Sequence, residues 1–195
     1  MSDLSCACQT RWHHQRWASL REHVASDIQR FLTKSAQNIA LGDSAKRRLS
    51  AWLTPELQCL TLHRIAHWLH VNRWRRLALA CARLNFLLYK VSLTPRSCIG
   101  PGCRLSHPAA VVFDGIAGRD LTIFGVAICR PSVSAQSALP VLGDAVTLGA
   151  HSVILGPLTI GNSVRVSPSA VLRKDVPHRT LVVSHALHVT LRPSA

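Results

Sequence analysis

From Ile99 onward, every sixth residue is apolar. The series runs Ile99, Leu105, Val111, Ala117, Ile123 and Cys129. After one extra residue in the stretch 135–141 it resumes at Leu142, Leu148, Ile154, Ile160, Val166 and Leu172. The residue four places further on is small or aliphatic each time, from Cys103 and Ala109 to Ala170 and Val176. Alternation at period two describes ordinary strands, but it fixes neither a period of six nor a small residue after each aliphatic one. The repeat suits a triangular coil. Each hexad supplies one flat strand and a turn, and three hexads close a coil of about eighteen residues whose leading aliphatics stack inward. Successive strands would ladder along the axis at about 4.8 Å per coil. Residues 99–177 supply somewhat more than four coils, a prism about 20 Å tall.

The rest of the chain has a different grammar. Nine of the ten glycines and nine of the ten prolines follow residue 91, whereas eight of the ten aromatic residues precede it. Residues 1–91 therefore read as an α-helical region and residues 92–195 as a turn-rich β domain with a C-terminal tail, an α+β chain overall. Thr54-Pro55-Glu56 is a helix start: a capping side chain, a proline that needs no N–H, and an acid at the positive helix end. Leu57, Leu60, Ile65, Trp68 and Leu69 then form one apolar stripe, and Trp74, Leu77, Cys81, Leu84 and Leu88 a second. Residues 12–33 and 44–52 are read as further helices.

Lys and Arg total 23 against 9 Asp and Glu, a formal charge of +14. No apolar run reaches the length of about eighteen residues that a membrane span needs, and Met1-Ser2-Asp3 lacks the layout of a secretory signal. Seven scattered cysteines fit a reducing compartment, so a cytoplasmic protein is expected. Arg73-Trp74-Arg75-Arg76 and Lys46-Arg47-Arg48 lie in no nucleic-acid-reading motif, and no specific nucleic acid is expected. Such charge could instead draw the chain to an anionic membrane surface. His63, His67 and His70 share a helical face, yet no carboxylate or cysteine pair completes a metal set, and no metal is expected. Cys6, Cys8, His13 and His14 are read as part of an irregular N-terminal arm with free thiols.

Hexads such as Ile160-Gly161-Asn162-Ser163-Val164-Arg165 resemble those of the left-handed β-helix acyltransferases. His63-Arg64-Ile65-Ala66-His67-Trp68-Leu69 is similar to the helix before the β-helix in serine acetyltransferases. Leu105-Ser106-His107-Pro108 is similar to the strand that carries that family's catalytic histidine. The runs 148–156, 160–161 and 171–177 resemble its coenzyme-A-binding coils. The resemblance covers residues 54 to about 185, in the family's order. It implies a left-handed parallel β-helix, a homotrimer with active sites between protomers, and acetyl transfer from acetyl-CoA to a hydroxyl. His107 would be the general base, since an imidazole with a pKa of about 6.5 is neutral yet basic at pH 7. Gly149, Ala150, Ser167 and Pro168 would line the pantetheine. On their charge alone, and not from the resemblance, Arg173 and Lys174 would meet phosphate, and Ser106 and Arg130 would face the acceptor.

The departures bear on the acceptor. Where the family has aspartates, this chain has Ser106 just before the histidine, Ser92, and Thr54. A pocket without carboxylates holds an ammonium group poorly. A sugar or polysaccharide is therefore the expected acceptor, with L-serine the alternative. A catalytically silent scaffold homologue is the rival from another class. The sequence also ends without the terminal isoleucine the family inserts into O-acetylserine sulfhydrylase, so that partner is not expected.

Overall fold

The computed structural model describes residues 17–35, 51–131 and 139–184. Among the described residues three helices come first: α1 (Trp17–Ser35), α2 (Pro55–Val71) and α3 (Arg75–Tyr89). The chain then winds around three faces. β1 (Ser92–Leu93) opens the first face, β2 (Cys98–Ile99) the second and β3 (Arg104–Ser106) the third. β4 (Val112–Phe113), β5 (Ile116–Ala117) and β6 (Thr122–Phe124) revisit them in that order. So do β7 (Ile128–Pro131), β8 (Val141–Leu142) and β9 (Thr147–Leu148), and then β10 (Val153–Gly156), β11 (Thr159–Ile160) and β12 (Arg165–Val166). β13 (Val171–Leu172) and β14 (Leu181–Val182) finish the first and third faces. Every strand pairs in parallel with the strand one coil away.

All twelve residues of the six-residue series are buried, none more than 8% exposed. Each large aliphatic removed from water contributes roughly 1.5–3 kcal/mol, so the inward stack is the main favourable term. Two details differ from a uniform count. Phe113, not Val111, takes the inward position on β4, in register with Leu93 below and Cys129 above. Eight residues thus separate Leu105 from its successor and four separate Phe113 from Ala117, because the turn at residues 107–111 is two residues longer than a regular corner. The step from Cys129 to Leu142 also runs between adjacent faces, so seven residues are surplus there, not one. Glycine is required where coils touch: a Cβ on Gly149 would lie 2.6 Å from the Pro168 nitrogen.

Helices α1 and α2 plug the first coil through polar groups. Arg64 on α2 holds Asp27 on α1 (3.1 and 3.2 Å), with both side chains only 3% exposed. Arg64 also donates to the carbonyls of Ile99 and Gly100, while Asp27 accepts from the Cys103 amide at 2.8 Å. Arg30 adds contacts to the Gly102 carbonyl, Asp120 and Thr122. Burial pushes the Asp27 carboxyl up, against the pull of the Arg64 guanidinium. The face that α2 buries is therefore mixed, with Leu57, Leu60 and Leu69 beside His63, Arg64 and His67, while Ile65 and Trp68 of the expected stripe are only half-buried. Thr54 stands at the N-cap of α2, with Pro55 and Glu56 as expected, but makes no side-chain cap bond. Its hydroxyl donates back to the Ala51 carbonyl instead.

The largest departure is α3. Its buried residues are Ala78 and Asn85, with half-buried Tyr89 also packed on the core, and Trp74, Leu77, Leu84 and Leu88 of the expected stripe point outward. Small Ala78 and Asn85 allow close approach to α2, where the Asn85 side-chain amide donates to the Cys59 carbonyl. Residues 12–16, 44–50 and the N-terminal arm with Cys6, Cys8, His13 and His14 lie outside the described residues. Among the described cysteines, Cys59, Cys81, Cys103 and Cys129 are free, but Cys98 is disulfide-bonded, which departs from the reduced thiols expected from their scatter.

Three imidazoles lie in this junction. Burial and the nearby Arg64 lower His23 to about 3, burial lowers His67 to about 4, and burial with the His67 and Arg64 charges lowers His63. Unfolded histidines titrate near a pKa of about 6.5, so below that pH the unfolded chain binds protons that the folded chain refuses. Stability is therefore expected to hold above pH 6.5 and to fall as pH drops toward 4. Each imidazole contributes up to about 1.4 kcal/mol per pH unit. Melting temperature measured across that window checks this, with His23→Gln flattening the slope.

Candidate active site

The corner between the third and first faces carries the sequence-predicted histidine. His107 follows β3 directly and is exposed, in the left-handed backbone region at φ 56°. A non-glycine residue adopts that conformation only where its surroundings hold it. Here the longer turn is pinned at both ends. The Ala110 amide donates to the Lys90 carbonyl at 3.0 Å, and the Val126 amide of the next coil donates to Ala109 at 3.2 Å. A Cβ on Gly125 would lie 2.5 Å from the His107 carbonyl oxygen, so the next coil rests on this turn and fixes where the imidazole starts.

The same edge continues upward through residues 149–152 and 167–170. Gly149 and Ala150 lie against Ser167 and Pro168, and the Ser169 amide donates to the Ala150 carbonyl at 2.9 Å. His107 is thus two layers from Ala150 and three from Ser167, about 10 and 14 Å along the axis. The Gly149 and Ser167 amides are committed to the Val166 and Val182 carbonyls, and Pro168 has no N–H. Of those four, only the Ala150 amide makes no ladder bond among the described residues. A ligand on this edge meets small side chains and few donors, as a flexible, largely apolar chain requires.

Ser106 ends β3 opposite Phe124, a residue 39% exposed. His151, also exposed and at φ 59°, stands on the edge beside Ala150. No motif in the sequence marks Phe124 or His151. The signal available for each was its place one and two corners above the His107 strand. Arg130, Arg173 and Lys174 fall elsewhere. Arg130 lies at the far end of β7, and Arg173 and Lys174 follow β13, so all three border the first-to-second-face edge, across a sheet from His107. The nearest acids in sequence are occupied. Asp114 accepts from Thr94 (2.7 Å) and Arg96 (2.8 Å), and Asp120 pairs with Arg30 at 2.7 Å. Among the described residues of one chain, neither acid bonds to His107. Burial pushes the Cys59 and Cys103 thiols up to about 12, so neither supplies a nucleophilic thiolate at neutral pH.

No family model matches the chain. Individual relatives do. It is 35% identical over 132 residues to a serine acetyltransferase of Mycobacterium tuberculosis, which covers 66% of this chain and 58% of that protein. It is 30% identical over 167 residues to a serine acetyltransferase of Helicobacter pylori, covering 82% of this chain and 96% of that one. The chain belongs to the serine acetyltransferase family. Among solved structures of that family, soybean serine acetyltransferase complexed with serine superposes with a TM-score of 0.76 at 25% identity, covering 85% of this chain and 68% of that one. The Neisseria gonorrhoeae enzyme, at 22% identity and a TM-score of 0.77 over 88% and 66% of the two chains, shares the fold. Family members differ in length: this chain spans 58% of the Mycobacterium relative and 54% of a Synechococcus elongatus one.

Proposed function

We propose that this chain is an acetyl-CoA-dependent serine O-acetyltransferase, its faces wound as the family's left-handed β-helix and its chains associated as a homotrimer. The observation that carries the reading is His107, exposed in an enlarged turn on the edge that continues into the 149–150 and 167–168 turns. The imidazole would accept the proton of the acceptor hydroxyl as its oxygen attacks the thioester carbonyl carbon. The tetrahedral oxyanion then collapses, the carbon–sulfur bond breaks, and the imidazolium returns its proton to the departing thiolate. Gly149, Ala150, Ser167 and Pro168 would hold the pantetheine, with the Ala150 N–H as donor. Ser106 would border the acceptor beside His107, whereas Arg130, expected there from the sequence, lies with Arg173 and Lys174 around the adjoining edge, where the latter two would meet coenzyme phosphate. With Asp114 and Asp120 engaged elsewhere, the group orienting His107 would come from a neighbouring protomer or from water.

L-Serine, the alternative acceptor on sequence grounds, is better supported than a sugar. The relatives are serine acetyltransferases, and one structural neighbour was solved with serine. A second reading, an uncharged sugar hydroxyl, is favoured by one observation: Ser106, Ser92 and Thr54 offer no carboxylate to an ammonium group. Thiol release from acetyl-CoA with a panel of acceptors separates them. Saturable turnover with L-serine is expected. Turnover with sugars alone would transfer the reading to the second acceptor, and no turnover with coenzyme bound would leave the scaffold homologue.

A further inference from the structure

We propose that the outer face of α3 docks on an anionic lipid surface. This goes beyond acetyl transfer and does not depend on it. Trp74, Leu77, Leu84, Leu87 and Leu88 are between 45% and 66% exposed, although a water-soluble helix normally turns such residues inward. At 100° per residue, Leu77, Leu84, Leu87 and Leu88 fall on one flank of the helix, and Leu79 and Phe86 on the other. Arg76 and Arg83 lie between the flanks and are exposed, and Lys90, the exposed C-cap, sets its ammonium 5.7 Å from the Phe86 ring. From Arg73 to Lys90 there are five cations and no acid.

Charge decides the occupant. A second copy of the same segment would bring five cations close to five. The rest of the chain has little acid to offer: 9 acidic residues oppose 23 basic ones, and Asp27, Asp114 and Asp120 are already paired with Arg64, Arg96 and Arg30. An anionic bilayer supplies both requirements at once. Its acyl boundary takes the leucines, its headgroups take the arginines, whose aliphatic stems run along the apolar flanks, and Trp74 sits at interfacial depth. Among the described residues no helix is long and apolar enough to cross a membrane, so α3 would lie in the surface plane.

The test is co-flotation of the full chain with vesicles of phosphatidylcholine alone or mixed with phosphatidylglycerol. Flotation with the mixed vesicles only, weakening as salt is raised, is expected. Leu84→Glu with Leu88→Glu, and separately Arg76→Glu with Arg83→Glu, should each lower the bound fraction about tenfold or more. Melting temperature should not move, because all four residues are exposed. Wild-type chain that stays unbound, or variants that float as well as wild type, would overturn the proposal. So would a Leu84→Glu, Leu88→Glu chain whose only change is a smaller oligomer by light scattering, which would assign the face to a second copy.

Discussion

Replacing His107 by asparagine is expected to lower kcat by about 10²- to 10⁴-fold, the usual contribution of a positioned general base. Coenzyme A affinity, measured by calorimetry, should stay close to wild type. Asparagine is the informative substitution because of the backbone. The residue sits at φ 56°, a region that asparagine tolerates better than alanine, so the turn that supports Gly125 should survive. Loss of rate with binding and melting temperature retained would isolate the proton-transfer role. Loss of all three together would mean that His107 holds the corner and does nothing chemical. A kcat within a few-fold of wild type would remove it from the mechanism.

The second large effect is on stability. Arg64→Met would leave the Asp27 carboxylate buried without its guanidinium, and would strip hydrogen bonds from the Ile99 and Gly100 carbonyls. Breaking a buried pair by removing one partner typically costs about 3–5 kcal/mol, a large share of the roughly 5–15 kcal/mol that holds a domain together. A fall in melting temperature of about 10 °C or more is expected. Asp27→Leu combined with Arg64→Met should recover part of this loss, since no unpaired charge remains. Recovery should be incomplete, because the Cys103 amide and the two carbonyls stay without partners. An Arg64→Met chain that melts with wild type would show that α1 does not depend on this clamp.

The coil was legible because it rests on a local rule. An inward position needs an apolar residue whatever its neighbours are, so the six-residue series survives into burial at all twelve positions. The enlarged turn at residues 107–111 was hidden by compensation: the two residues gained before Phe113 are lost before Ala117, and Val111 is itself apolar and buried. The polar plug was illegible for another reason. Arg64 and His67 look like exposed helical residues until Asp27, Ile99, Gly100 and Pro95 are brought to them from 28 to 37 residues away. The α3 stripe illustrates a limit of periodicity, which announces a helix but does not say which stripe meets the core. Small Ala78 and Asn85 won that contact over the leucines.

The candidate site divides along the same line. The His107 strand and the 149–150 and 167–168 turns were readable from residues similar to the family's, and the winding does bring them to one edge. Arg173 and Lys174 stand out by charge alone, and charge carries no information about phase in the coil. Six residues beyond Ser167 is one corner further on, which puts them across the first face from His107.

A crystal structure of the full chain grown with coenzyme A addresses the site most directly. The pantetheine is expected to run beside Gly149, Ala150, Ser167 and Pro168, with its sulfur within about 3.5 Å of the reach of the His107 imidazole or of a hydroxyl bridging to it. A thiol end lying at the edge beyond β13, or on any face away from His107, would contradict the proposed chemistry.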